Sequence, residues 1–198
     1  MNGTGIGVYS DTLQNLTPLT TYYVRAYSTN SIGTSYGSEL SFTTTITIGS
    51  NYAGGIVFYL DSTGQHGLVC APNDFIGRYE YGCWGTDIIG TSVSIGAGQL
   101  NTNLILTGCS TRPIAASVCD SLALNGYSDW FLPSSDELNL MYTNLHLQNI
   151  GGFLNDWYWS STQSPYGPHA AYHMLFTNGF GHNNHKDFNQ KVRAIRSF

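Results

Sequence analysis

Residues 126–138 read GYSDWFLPSSDEL, and this stretch decides how the rest of the chain is read. Ser134 followed by Glu137 is a capping box. The serine oxygen can accept from the amide three residues on, while the glutamate reaches back to the serine's own N–H. Pro133 stops whatever precedes it, and Leu138, Met141, Tyr142 and Leu145 recur at helical spacing behind the cap. Trp130, Phe131 and Leu132 then read as core, and Asp129, Asp136 and Glu137 as turn and cap residues. Every side chain has a sufficient structural role, so the stretch is expected to be scaffold.

Working outward towards the N-terminus, RPIAASVCDSLALNG places Ile114, Val118, Cys119 and Leu122 on one helical face, with Asn125-Gly126 as the stop. Residues 73–110, rich in Gly, Thr and Asn, read as long loops. GGIVFYLDSTGQHGLVCAP reads as two apolar strands around an Asp-Ser-Thr-Gly turn. Towards the C-terminus, WYWSST, AAYHMLF and QKVRAIRSF read as strands, the last two joined by a polar loop, GHNNHKD, that is expected to be fully exposed. Two helices among strands and loops make an α+β pattern over residues 51–198. Residues 46–50 read as a linker. Residues 1–45 read as β structure, in which TYYVRAYSTN alternates as a half-buried strand.

Composition narrows the function classes. The chain has 198 residues, 41% of them hydrophobic and 10% charged, with 23 glycines and 14 tyrosines. That suits short strands and many turns. No apolar run approaches the ~20 residues of a membrane span, so no membrane insertion is expected. A formal net charge of −5 argues against nucleic acid, which calls for a basic surface. Lys186, Lys191, Arg193 and Arg196 do crowd into the last 13 residues, making that end cationic by sequence. If the ligand were an acidic glycan, Lys186 and Lys191 would steer it.

None of the four cysteines sits in a CxxC pair, so neither a zinc knuckle nor a redox motif is indicated. Cys83 and Cys109 both lie in the loop-rich middle, where a staple would restrict the chain most, and are expected to pair. Cys70 and Cys119 form a second pair or remain buried thiols. An even count in such a chain fits an oxidising compartment, hence an extracellular or cell-surface location, and the chain is expected to be part of a longer exported protein.

Three resemblances sharpen this. LQNLTPLT, TYYVRAY and SELSFTT resemble the second half of a fibronectin type III domain over residues 13–44; a whole sandwich takes about 100 residues, so residues 1–45 would be an incomplete one. GYSDWFLPSSDEL, YWSST and the terminal VRAIRSF, with the opening GGIVFYLD, resemble the Lcl C-terminal domain family of bacterial surface adhesins over residues 51–198. The Trp-Phe-Leu-Pro run also resembles formylglycine-generating enzymes, which implies a C-type-lectin-like fold with two helices and long loops. In that fold the first and last strands pair, which would set Ile56–Leu60 beside Val192–Phe198. The enzymes' late reactive cysteine pair has no counterpart after Cys119, so no activity follows.

Candidate chemistry lies in SPYGPHAAYHMLFTNGFGHNNHKDFNQ. His182-x-x-His185 is a poor metal set without a neighbouring carboxylate beyond Asp187. Gly33-Thr34-Ser35-Tyr36-Gly37 has the Gly-x-Ser-x-Gly spelling, but SIGTSYG reads as a turn-rich connection between strands and not as a strand-to-helix nucleophile elbow, and there is no phosphate-cradling glycine motif. No catalytic residue, metal or cofactor is therefore assigned. Calcium stays open because lectin-like relatives bind it, although no D-x-D set is visible. Tyr, His, Asn and Asp side chains on a loop do have the chemistry of a binding surface. They are also residues reachable from an asparagine codon by adenine mutagenesis, which resembles the variable proteins of diversity-generating retroelements. The expectation is a non-catalytic module that binds a glycan or cell-surface protein through Tyr166, His169, Tyr172, His173, His182, Asn183, Asn184, His185, Lys186, Asp187 and Asn189. The alternative is a structural subunit of an extracellular fibre or homo-oligomer, with the aromatic loop as its interface.

Overall fold

The computed structural model describes residues 7–198, which fall into two compact units, residues 7–46 and 47–198. The first unit is a twisted ribbon. Strand β1 (Thr21–Val24) pairs antiparallel with β4 (Leu40–Thr43), and β2 (Tyr27–Thr29) with β3 (Thr34–Tyr36). The alternation expected through TYYVRAYSTN therefore holds only in its first four residues. It breaks at Arg25-Ala26, where the partner register slips by one residue between the two ladders. Cross-strand pairs on the ribbon include Tyr22 with Phe42 and hydrogen-bonded Thr21 with Thr43. Of residues 7–46 only Ile46 is buried.

The second unit is α+β. Strands β5 (Asn51–Tyr52), β6 (Gly55–Leu60) and β7 (Gly67–Cys70) form a sheet closed by β11 (Ile195–Ser197), in the order β11-β7-β6-β5. The expected pairing of Ile56–Leu60 with the chain's last strand is thus corrected. β7 lies between them, with Ile195 opposite Cys70 and Ser197 opposite Leu68. The other edge of β6 is taken by β5, which leaves only β7 open to the final strand. Residues 47–50 are not a free linker, because Gly49 donates to Val57 O and Val57 to Ser50 O.

Three helices pack with this sheet and a second one. Helix α1 spans Gly98–Gly108, α2 Ala115–Asp120 and α3 Ser135–Asn144. The second sheet runs β10 (Phe180–His185), β9 (Ala170–Leu175), β8 (Trp157–Gln163). Phe58 and Leu68 from the first sheet meet Leu138, Met141 and Leu145 of α3 and Tyr158, Met174 and Phe176 of the second sheet in one buried cluster. Burial of this apolar area is the main stabilising term.

The expected capping box is present. Glu137 N–H donates to Ser134 Oγ at 3.3 Å, and Ser134 N–H to Glu137 Oε2 at 2.7 Å. Glu137 reaches further than a local cap, since its Oε1 accepts from Gly96 N–H at 2.7 Å. A side chain at Gly98 would collide with Glu137 Oε2 and the carbonyl of Leu132. Glycine is thus what lets the start of α1 lie on this carboxylate, and burial raises the pKa of Glu137.

The signature arginines also have structural partners. Arg193 is 1% exposed. It pairs with Asp74 at 2.6 Å, donates to Ala71 O and Gly151 O, and lies 4.0 Å over the Phe153 ring. Arg196 grips both oxygens of Asp129, at 2.7 and 2.8 Å, above Tyr127. That pairing holds the Asp129 carboxyl below its ordinary pKa. Since Lys186 is buried too and Lys191 half-buried, the cationic C-terminal end suggested by composition is not a cationic surface.

Candidate functional site

Three segments converge at one end of the second unit. Residues 82–88 form a loop whose start is anchored by the Cys83–Cys109 disulfide, the pairing expected from sequence. Cys70 and Cys119 remain free and buried, so the alternative of a second disulfide is not realised. Burial lifts both thiols, Cys70 to about 12, and keeps them unreactive. Residues 164–169 connect β8 to β9, and residues 186–189 follow β10. Lys186 knits the three together: its N–H donates to His169 O at 3.0 Å, its carbonyl accepts from Gly82 N–H at 3.2 Å, and its Nζ donates to Thr86 O at 2.7 Å.

On this framework Trp84 stands 55% exposed. Its ring lies 4.4 Å from that of His169. Tyr166, in the same loop as His169, is 88% exposed, and Phe188 is 51% exposed beside His185. Aromatic side chains have few rotatable bonds, and a loop backbone tied by a disulfide and hydrogen bonds loses less freedom on contact with a partner. The arrangement is chemically a contact surface: flat apolar rings bordered by the polar groups of Asp87, His169, His185, Asp187 and Asn189, all exposed.

The sequence-predicted residues divide between this end and the β8–β9–β10 sheet. GHNNHKD is not a loop, because its first five residues belong to edge strand β10. There His182 pairs with His173, Asn183 with Tyr172 and Asn184 with Ala171. Alternation along a strand sends His182 and His185 to opposite faces, so they do not chelate together. His182 and His185 are exposed, whereas Asn183, Asn184 and Tyr172 are half-buried.

Two predicted ligand residues lie inside. Lys186 has no exposed surface, and His173 has 4%. His173 stacks on Trp157 at 3.9 Å, with Trp159 and His182 on its flanks. Desolvation lowers its pKa to about 4, so the imidazole is neutral in ordinary buffers. Among the described residues no group of three His, Cys, Asp or Glu side chains is placed to hold a metal. A surface cavity of about 370 Å³ is lined by residues between His146 and Asn155 and includes none of the predicted positions.

Sequence reasoning missed Trp84, Phe188 and Asp87. The available signal was a tryptophan directly after a cysteine in a glycine-rich, loop-like segment, where a core partner was not evident.

The Lcl C-terminal domain model matches residues 93–196. The chain belongs to the Lcl C-terminal domain family. The loop carrying Trp84 lies just ahead of the matched residues, while α1–α3, the second sheet and the paired arginines lie within them. No curated protein matches the chain.

Proposed function

We propose that this chain is a non-catalytic ligand-binding module of an exported surface protein, which binds a glycan or another surface protein through the Trp84 end of its second unit. One observation carries the reading. Trp84 is exposed although the disulfide and the His169 ring hold it in a defined place. An exposed indole packed against a neighbouring ring has no use in the core and suits stacking on a sugar ring or a partner side chain. Family membership supports a surface, adhesin-like role, and the disulfide supports an extracellular or cell-surface location. The lectin-like fold and the fibronectin type III origin of the ribbon belong to the same reading.

The test is a screen of immobilised glycans and surface proteins with the intact chain beside its Trp84→Ala and His169→Ala variants. The expected result is a hit that both variants lose while keeping their thermal unfolding profile. A hit that survives both substitutions would move the site to another face.

One observation favours a second reading, assembly into an oligomer or fibre. β10 is the outer strand of its sheet, and Phe180, Gly181 and His182 on it are exposed. A strand edge with open backbone groups can pair with another chain. Sedimentation that shows only monomer at high concentration would remove this reading.

A further inference from the structure

Lys186 is a buried lysine that makes no ion pair among the described residues, although the Asp87 charge is near enough to favour its protonated form. The ion pairs among the described residues all use arginine, and lysine is almost never fully buried unless paired. Its surroundings are specific. Nζ donates to Gln163 Oε1 at 2.5 Å and to Thr86 O at 2.7 Å, and it lies 5.2 Å from the centre of the Tyr81 ring. Gln163 is itself 9% exposed and Tyr81 fully buried.

The amide of Gln163 is held at both ends. Its oxygen also accepts from Ile88 N–H at 2.8 Å, and its Nε2 donates to Asp87 Oδ1 in a short hydrogen bond. These partners fix which end of the amide is oxygen and which nitrogen. The result is an amine, a polarised carboxamide and a carboxylate arranged in sequence.

We propose that Lys186 and Gln163 join in an intramolecular isopeptide bond, with Asp87 as the proton carrier and ammonia as the leaving group. The neutral amine of Lys186 attacks Cδ of Gln163, forming the new C–N bond. The displaced electron pair gathers on Oε1, where Ile88 N–H stabilises it as an oxyanion donor does in acyl transfer. Once both nitrogens are held on the tetrahedral carbon, the Asp87 carboxylate, already bonded to Nε2, takes the surplus proton of Nζ and delivers it to Nε2, the old C–N bond breaks, and ammonia departs on the side of the exposed Asp87 carboxylate. One amide replaces another, so no oxidant, reductant or cofactor is consumed. Desolvation contributes by lowering the Lys186 pKa to about 8, which raises the share of nucleophilic amine.

The consequence is mechanical. Gln163 ends β8 and Lys186 directly follows β10, so the bond would join the two outer strands of the sheet across β9. It would also fix covalently the junction that carries the binding loops. The chemistry stands independently of which ligand those loops take.

Intact-mass spectrometry of the purified protein, after prolonged incubation in mildly alkaline buffer, tests the assignment. The expected result is a mass lower than the sequence predicts by one ammonia, beyond the change from the disulfide. A tryptic digest should yield one branched peptide joining Lys186 to Gln163, while Lys186→Arg and Asp87→Asn keep the full mass. A wild-type protein at full mass, whose digest releases the two peptides separately, would overturn the proposal. An Asp87→Asn variant that cross-links as completely as the wild type would overturn the role given to Asp87.

Discussion

The two units spend their aromatic residues in opposite ways. The ribbon of residues 21–43 displays Tyr23, Tyr27, Tyr36, Leu40 and Phe42 on its surface, with Tyr27 against Tyr36 and Phe42 against Tyr22 across the strands. The second unit folds Phe58, Trp130, Tyr158, Trp159 and Phe176 completely inside. Both regions have apolar residues in strand-like patterns, so pattern alone does not make a core. What differs is a second layer: the ribbon is two strands wide, while the β6–β7 sheet and the β8–β9 sheet share α3 between them. A two-stranded ribbon by itself is marginal, because one layer of strands offers no second layer to bury a face against. The few exposed aromatics of the second unit stand out by contrast, and Trp84 is one of them.

Substitutions should separate the two regions sharply. Phe176→Ala, in the shared cluster, is expected to lower the unfolding free energy by ~3–5 kcal/mol, the cost of lost burial plus a cavity. Phe42→Ala on the ribbon should change it by less than ~0.5 kcal/mol. Urea titrations of both variants check the comparison, and equal losses would break it. Replacing Cys83 and Cys109 together with serine comes next, at roughly 3 kcal/mol in the chain-entropy model for a loop of this length. Native-state alkylation should leave Cys70 and Cys119 untouched in the same sample.

Acid acts on the second unit through His173. Its folded pKa of about 4 lies below the ~6.5 of an unfolded histidine, so between those values the unfolded chain binds more protons. Stability should therefore rise with pH across that window and fall as pH drops from the upper value towards the lower one. Unfolding midpoints measured at several pH values should show this slope, and His173→Gln should flatten it. Ser134→Ala follows with about 1 kcal/mol. The serine is buried and also donates to Ser94 O at 2.9 Å, but the helix keeps its contacts on every other side. Ligand binding should be unchanged.

What the sequence made legible was what local chemistry decides. The Ser134/Glu137 box depends on four consecutive residues, and the strands around Ile56 and Tyr158 on apolar runs. Helix α1 was hidden because GQLNTNLILTG has glycine, asparagine and threonine where strong helix formers are expected. Tertiary bonds hold it instead: Asn101 Nδ2 donates to Ser92 O at 2.7 Å, and Thr102 Oγ1 accepts from Leu132 N–H at 3.0 Å. β10 was hidden for a related reason. Gly-His-Asn-Asn-His has no apolar alternation, and only its ladder to β9 makes it a strand. The burial of Lys186 depends on Tyr81, Thr86 and Gln163, residues remote in sequence that no window around it contains.

The smallest expected effect is on binding under salt, and it follows from that burial. Lys186 and Lys191 were expected to steer an acidic ligand, yet Lys186 Nζ faces Gln163 and Thr86 inside the protein and Lys191 is half-buried. Arg193 and Arg196 are spent on Asp74 and Asp129. The exposed charges beside Trp84 and His169 are the carboxylates of Asp87 and Asp187. With Lys186, Arg193 and Arg196 engaged in this way, the C-terminal cations are expected to steer an acidic glycan little, and contact energy is expected to come mainly from ring faces and neutral hydrogen bonds. Such contacts are insensitive to ionic strength, whereas steering by exposed charges weakens once the Debye length falls to ~10 Å or less. Affinity for the ligand found by screening should therefore change by less than about twofold when salt is raised from low to physiological concentration, measured by calorimetry on the intact chain. Trp84→Ala in the same buffer should abolish binding and leave the melting temperature unmoved, as exposed substitutions usually do. A steep loss of affinity with salt, retained in Trp84→Ala, would show an acidic ligand held elsewhere and would separate the binding surface from the aromatic end altogether.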